Sequence, residues 1–265
     1  MLDPFNRRIN YLRISVTDKC NLRCTYCMPE GGVPLIRHED VLRFEEISTV
    51  AKTAVELGVD KVRLTGGEPL VRRGIVTLVK MLAGIDGISD LAMTTNGTLL
   101  AQFARPLAEA GLHRVNVSID AIDPARYAAI TRGGDVNSVL NGIDAARSAG
   151  LNPVKLNCVI QDSADEPDAR AVAAYAADAG LPLRFIRRMN LGTGKFSVVV
   201  GGTGGDCPQC NRLRLSCDGM VRPCLFSDLR FSVRQLGARE AICRAVSHKP
   251  KCGTRSDAAF HTIGG

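Results

Sequence analysis

Six short runs of β-branched and aliphatic residues, each followed by a loop and a segment of helical periodicity, occupy most of the chain up to residue 190. The runs lie at 12–16, 61–65, 91–95, 114–119, 154–160 and 183–186. Strands separated by helices pair side by side in one direction, so the pattern specifies an α/β fold built on a parallel sheet. Eight such units close a full barrel; six predict an open, partial β/α barrel. Ligands of such sheets gather at the C-terminal ends of the strands, which directs attention to the loops after Val16, Thr65, Thr95 and Ile119. The helices carry their own punctuation. Phe44, Ile47, Val50, Ala54 and Leu57 mark one apolar face, with Gly58 as a stop. Asp123 before Pro124 reads as an N-cap, and Pro106 predicts a helix after Leu99 that starts late or kinks. Beyond Leu191 come a glycine-rich stretch, 192–205, and a cysteine-dense segment, so a division into 1–190 and a small C-terminal iron–sulfur domain at 191–265 is expected, with one strand at 196–200.

Composition narrows the function. With 45% hydrophobic and 23% charged residues the chain is an ordinary globular one, not a disordered one. The first eight residues lack a basic flank followed by an apolar stretch, and no run reaches the ~18 apolar residues of a membrane helix, so a cytoplasmic protein is expected. In a reducing compartment its 10 cysteines read as metal ligands or reactive thiols before disulfides. The net charge of +7 suits an anionic partner. Two iron–sulfur clusters on six cysteines would lower it by roughly two and leave it basic. At 5% aromatic residues, platforms for stacking bases are scarce, which argues against a zinc-stapled RNA-binding module.

Cys20, Cys24 and Cys27 form a Cys-x3-Cys-x2-Cys array directly after the first strand. Three thiolates on one loop can hold three irons of a 4Fe–4S cluster and leave the fourth open for chemistry. A zinc site would need a fourth protein ligand, and none lies nearby in sequence. Together with Tyr26 and the Gly66-Gly67-Glu68-Pro69 string that ends the second strand, the array resembles the radical S-adenosylmethionine (SAM) enzymes. The resemblance implies that the open iron on Cys20, Cys24 and Cys27 chelates SAM and that one electron cleaves it to a 5′-deoxyadenosyl radical. The two glycines would let the backbone come close to a ligand, and Glu68 would balance an ammonium or orient the loop.

A second array, Cys207, Cys210 and Cys224, has spacing that fits structural zinc as well as an iron–sulfur cluster. Arg212 and Arg214 alternate along a strand between them and point both guanidiniums to one side, suited to a phosphate or a purine edge. With Gly264 and Gly265 at the end of the sequence, this half is similar to one branch of the superfamily, the GTP 3′,8-cyclases of molybdenum cofactor biosynthesis. That likeness implies a second 4Fe–4S cluster that binds the purine of GTP, a radical that takes the ribose 3′ hydrogen, and attack of the carbon radical on C8 of guanine. It implies SAM contacts at Tyr26, Gly67, Ser118 and Met189, with Gly66 and Glu68 beside them. It implies GTP contacts at Arg13, Arg63, Thr94, Lys155, Arg212 and Arg214, with Lys61 and Arg184 as additions. Gly264 and Gly265 would thread into the active site. A flavodoxin or ferredoxin would supply electrons, and a pterin-forming enzyme would take the product; no membrane partner is implied, and a homodimer is left open. An auxiliary cluster in a radical SAM enzyme acting on a peptide or another nucleotide is the alternative.

Two departures from that branch stand out. The segment 190–206 is shorter than its counterpart by several dozen residues, and Arg187 stands where the family usually has an acid. Cys158 reads as a core thiol, while Cys217, Cys243 and Cys252 have no partner assignable from sequence.

Overall fold

The computed structural model describes residues 1–258 and 260–263, so the expected roles of Gly264 and Gly265 lie outside the described residues. All six anticipated strands form: β1 (Tyr11–Ser15), β2 (Lys61–Thr65), β3 (Asp90–Thr95), β4 (Arg114–Ser118), β5 (Lys155–Ile160) and β6 (Leu183–Arg187). Each pairs in parallel with its neighbour in sequence. Three more strands, β7 (Arg212–Leu215), β8 (Met220–Arg222) and β9 (Phe231–Ser232), extend the sheet to nine among the described residues, in the order β6-β5-β4-β3-β2-β1-β7-β8-β9. The sheet is open at β6 and β9, as a partial barrel is. β7 joins β1 in parallel, with Tyr11 opposite Arg212 and Arg13 opposite Arg214, so hydrogen-bonded sheet continues across residue 190. β8 and β9 then turn back antiparallel.

Helices α1 (Phe44–Glu56), α2 (Ile75–Ala83), α3 (Leu100–Glu109), α4 (Pro124–Thr131), α5 (Val136–Ser148) and α6 (Pro167–Asp178) connect the strands, and α7 (Val233–Leu236), α8 (Ala238–Ser247) and α9 (Phe260–Ile263) follow β9. α1 buries Ile47, Val50, Ala51 and Ala54 against the sheet, and Gly58, at φ +98°, takes the left-handed turn that ends it. Asp123 caps α4 by accepting the N–H of Arg126 at 2.8 Å, with Pro124 in the first turn. The late start expected of α3 is not found. Pro106 and Gln102 both face solvent, so water can satisfy the carbonyl whose helical donor Pro106 lacks.

The anticipated strand at 196–200 is also absent. Val200 makes an isolated bridge to Phe185, and Lys195 one to Asn190, while Val199 donates to the carbonyl of Gly204 at 2.7 Å. The glycines after Val200 fold the segment back on itself before a ladder can extend. The main core fills the space between sheet and helices, and a satellite of Leu191, Leu225, Phe226 and Ile263 lies beside the second cysteine segment. No described helix is long and apolar enough to cross a membrane.

Candidate functional site

A cavity of about 560 Å³ runs along the inside of the sheet, from the first residues of β1, β2 and β4 (Tyr11, Lys61 and Arg114) to the loops after β2 and β3, and both cysteine trios line it. The first trio sits on the loop after β1, which is docked onto α4: Arg23 and Thr25 donate backbone N–H groups to Thr131 and Ile130, and the Arg132 guanidinium holds the carbonyls of Arg23 and Met28 at 2.9 Å each. Burial pushes the Cys24 thiol up to about 12, helped by the Asp120 carboxylate, and the Cys27 thiol up to about 11. The polypeptide alone therefore does not favour thiolates here; a bound cation would.

Gly66 and Gly67 line the cavity and also approach the cysteine loop closely. Gly67 donates its N–H to the Thr17 carbonyl at 2.8 Å and Glu68 donates to that of Lys19 at 2.8 Å. A Cβ on Gly67 would stand 2.4 Å from the Lys19 oxygen, and one on Gly66 2.7 Å from that of Thr17. The buried Glu68 carboxylate accepts the Leu70 N–H at 3.0 Å, the Thr95 hydroxyl at 2.7 Å and the Asn96 N–H at 2.7 Å. Burial pushes this carboxyl up to about 7 against the pull of those three donors. The Asn96 side chain in turn donates to Asn21, next to Cys20, at 2.9 Å. Glu68 thus orients the cysteine loop through Asn96. Tyr26 donates its hydroxyl to Asp120 at 2.6 Å, and the other oxygen of Asp120 takes the Val159 N–H at 2.7 Å. Asp120 was missed from sequence, although its place two residues past the end of β4 is where such sheets carry functional groups.

The second trio is set among cations. The buried Lys249 ammonium donates to the carbonyls of Arg212 at 2.7 Å and Pro223 at 2.5 Å. Burial raises the cost of ionising Cys210, yet Lys249 and the Arg212 N–H outweigh it and hold the thiol below its ordinary value. Arg7, paired with Asp3 at 2.6 Å, reaches the carbonyls of Cys207, Pro250 and Lys251 at 2.7, 2.6 and 3.0 Å. Cys252, for which the sequence assigns no partner, donates its thiol to the Cys207 sulfur at 3.2 Å. Neither Lys249, Arg7 nor this pairing leaves a local signal in the sequence, because each joins residues far apart in the chain. Among the described residues no three of His, Cys, Asp or Glu converge on a single-ion position, so each trio is a spread donor set.

Between the trios the cavity wall is cationic. Arg13, Lys61, Arg63, Arg184, Arg212 and Arg214 line it, as do Thr94, Ser118 and Met189. Lys155, at the start of β5, is near the same cations: burial and then the charges of Arg184, Arg114 and Arg63 hold its ammonium below the ordinary value. Arg114, unassigned from sequence, does line the wall and is clamped bidentately by Asp90 at 2.6 and 2.8 Å. Burial and then Arg214 likewise depress Arg13, and burial and then Arg114 depress Arg184. Such crowding of like charges is relieved by an anion. Four buried polar atoms on this wall have no hydrogen-bond partner among the described residues: the Tyr11 hydroxyl, Arg63 Nε, Thr94 Oγ1 and Asn116 Nδ2. Arg187 lines the same cavity, so the departure seen in sequence is a departure in the site.

Residues 14–176 match the model of the Radical SAM superfamily. A GTP 3′,8-cyclase of Moorella thermoacetica is 43% identical, with all of both chains covered, and one of Thermodesulfovibrio yellowstonii is 39% identical over 95% of each. The chain belongs to the radical SAM superfamily, in its GTP 3′,8-cyclase family. The Moorella alignment runs over 323 positions against the 265 residues of this chain, so that relative carries several dozen positions with no counterpart here. Among solved structures, native anSMEcpe with bound AdoMet superposes with a TM-score of 0.64 at 14% identity, covering 91% of this chain and 81% of that one. Methylornithine synthase gives 0.56 at 18%, covering 70% and 55%. Both share the fold of this chain. Membership of the superfamily implies a 4Fe–4S cluster and SAM. The first site fits them: three thiols share one loop, Gly66 and Gly67 leave no side chain against it, and Glu68 holds it in place.

Proposed function

We propose that the protein converts GTP to 3′,8-cyclo-7,8-dihydro-GTP, with SAM as the radical source and a second 4Fe–4S cluster on Cys207, Cys210 and Cys224. The observation that carries this reading is one cavity lined by both thiol trios, with unsatisfied buried donors and a cationic wall between them. Clusters in the two sites would supply the electron that cleaves SAM and an iron for the purine. The rest of the work belongs to side chains. Tyr26, fixed by Asp120, shapes the SAM end of the cavity. Lys61, Arg63, Arg184, Arg13 and Lys155 supply the charge a triphosphate requires. Arg212 and Arg214, on β7, flank the second trio where the base would sit. A flavodoxin or ferredoxin would deliver the electrons, and a pterin-forming enzyme would consume the product.

The test is anaerobic turnover of the iron-loaded protein with dithionite, SAM and GTP, read by mass spectrometry. Both 5′-deoxyadenosine and the cyclised nucleotide are expected. Deoxyadenosine without the cyclised nucleotide would overturn GTP as substrate while keeping the radical chemistry, and would point to Arg187 and the short 190–206 segment. Arg63→Ala should weaken GTP binding by roughly 10- to 100-fold, the loss of about 1.5–3 kcal/mol expected for a hydrogen bond to a charged group. Binding of GTP to the wild type and the variant, measured by calorimetry, checks it. Gly67→Ala should lower SAM cleavage by roughly 100-fold, because its Cβ meets backbone on the cysteine loop and displaces it by the order of an ångström. Deoxyadenosine formed per minute is the readout.

A further inference from the structure

We propose that Tyr11 reads the phosphate chain of the ligand, its hydroxyl donating a hydrogen bond to a phosphoryl oxygen in the middle of the cationic wall. The inference rests on the nucleotide reading above and adds to that site a residue which neither motif spacing nor the family likeness singles out. Tyr11 opens β1 and lines the cavity, yet its hydroxyl is buried and has no hydrogen-bond partner among the described residues. Buried hydroxyls are normally paired, so an unpaired one on a cavity wall marks the place of a ligand atom.

The groups around the hydroxyl decide what that atom is. Across the sheet Tyr11 stands opposite Lys61 on β2 and Arg212 on β7. The guanidinium carbons of Arg63 and Arg212, one from each neighbouring strand, lie over its ring at 5.5 and 5.8 Å from the centre. A phenylalanine would hold these two cations equally well, so the hydroxyl needs a separate account. Ammonium and guanidinium groups only donate, and none of them can take the phenolic proton. The carboxylate in the same row, Asp90 opposite Lys61, gives both oxygens to Arg114. The acceptor must therefore arrive with the ligand. A guanine edge carries donors as well as acceptors; a phosphate chain carries acceptors alone, together with negative charge. Charge is what this point lacks. Burial holds the guanidiniums of Arg13, Arg63, Arg184 and Arg214 below their ordinary value, and negative charge at the Tyr11 oxygen favours the charged form of all four. A phosphoryl oxygen against that hydroxyl brings the charge to the same place.

The test is Tyr11→Phe, which keeps the ring and both guanidinium contacts and removes only the hydroxyl. Binding of GTP, inorganic triphosphate and guanosine to the full-length iron-loaded wild type and variant is measured by calorimetry. GTP and inorganic triphosphate should each bind roughly 10- to 100-fold more weakly to the variant, the loss of one hydrogen bond to a charged group, while guanosine binds equally to both. Unchanged affinity for the two anions would overturn the proposal. So would an equal loss for guanosine, which would move the hydroxyl from the phosphates to the nucleoside. In turnover the loss should fall on KM for GTP rather than on kcat, as it does when a contact made equally before and during reaction is removed. A lower kcat with KM unchanged would overturn the assignment to binding. The inorganic triphosphate arm keeps this question apart from the identity of the substrate: if the wild type yields no cyclised nucleotide, the cyclase reading fails, and a selective loss of triphosphate binding in the variant still stands for Tyr11.

Discussion

Cys24→Ala should abolish 5′-deoxyadenosine formation, by roughly 10⁴-fold or more, which is about 5.5 kcal/mol of barrier. Cys24 lies in the middle of the first array, and its backbone carbonyl accepts the N–H groups of Cys27 at 2.9 Å and Met28 at 3.0 Å, so it organises the turn as well as contributing its sulfur. The alanine variant keeps that backbone pattern and loses only the thiol. Two thiols then remain on the loop, too few to retain a cubane, and iron should fall by about four per chain. Iron analysis beside the turnover assay separates this outcome from global unfolding, since the second site should keep its metal.

Cys210→Ala should give the opposite dissociation. Cyclised nucleotide is expected to vanish while SAM is still cleaved at an uncoupled rate, because the loop of Cys20, Cys24 and Cys27 is held by hydrogen bonds to Asn96, Ile130, Thr131 and Arg132. The substitution also removes the thiol that Lys249 favours in its charged form. The ammonium keeps the carbonyls of Arg212 and Pro223, so the fold should survive, with a stability loss of about 1–3 kcal/mol from the truncated contact. Loss of both products would contradict the separation of roles drawn here; product mass spectrometry with melting curves decides it.

The parts of this site that were legible in sequence are those that local spacing encodes. Cysteines three and four residues apart must share a loop, and an alternation of strand and helix must make a parallel sheet, so Cys20, Cys24, Cys27 and the strands from β1 to β6 followed directly. Arg212 and Arg214 on β7 were legible for the same reason, since alternate residues of a strand share a face. What failed was decided by distant partners. The 196–200 run has strand composition, yet no neighbour extends its ladder beyond the bridge at Val200. Arg114, missed in sequence, joins the cavity wall where Asp90 of the neighbouring strand clamps it. The meeting of Cys252 with Cys207 depends on Arg7 at the other end of the chain, a link that no window of sequence contains.

The pairing of β7 with β1 also bears on how the molecule is made. A ribosome delivers the N-terminal strand first and its partner roughly two hundred residues later. At about 5–20 residues per second, one side of β1 waits ten seconds or more for β7. During that interval its N–H and C=O groups form an unprotected edge, a template for pairing with another nascent chain. The first cysteine loop, by contrast, is docked by Ile130, Thr131 and Arg132, which are made while the C-terminal part is still to be synthesised. Metal could therefore enter the two sites in a fixed order, and Arg212 and Arg214 would come into register with Tyr11 and Arg13 only as the last strands lock the sheet.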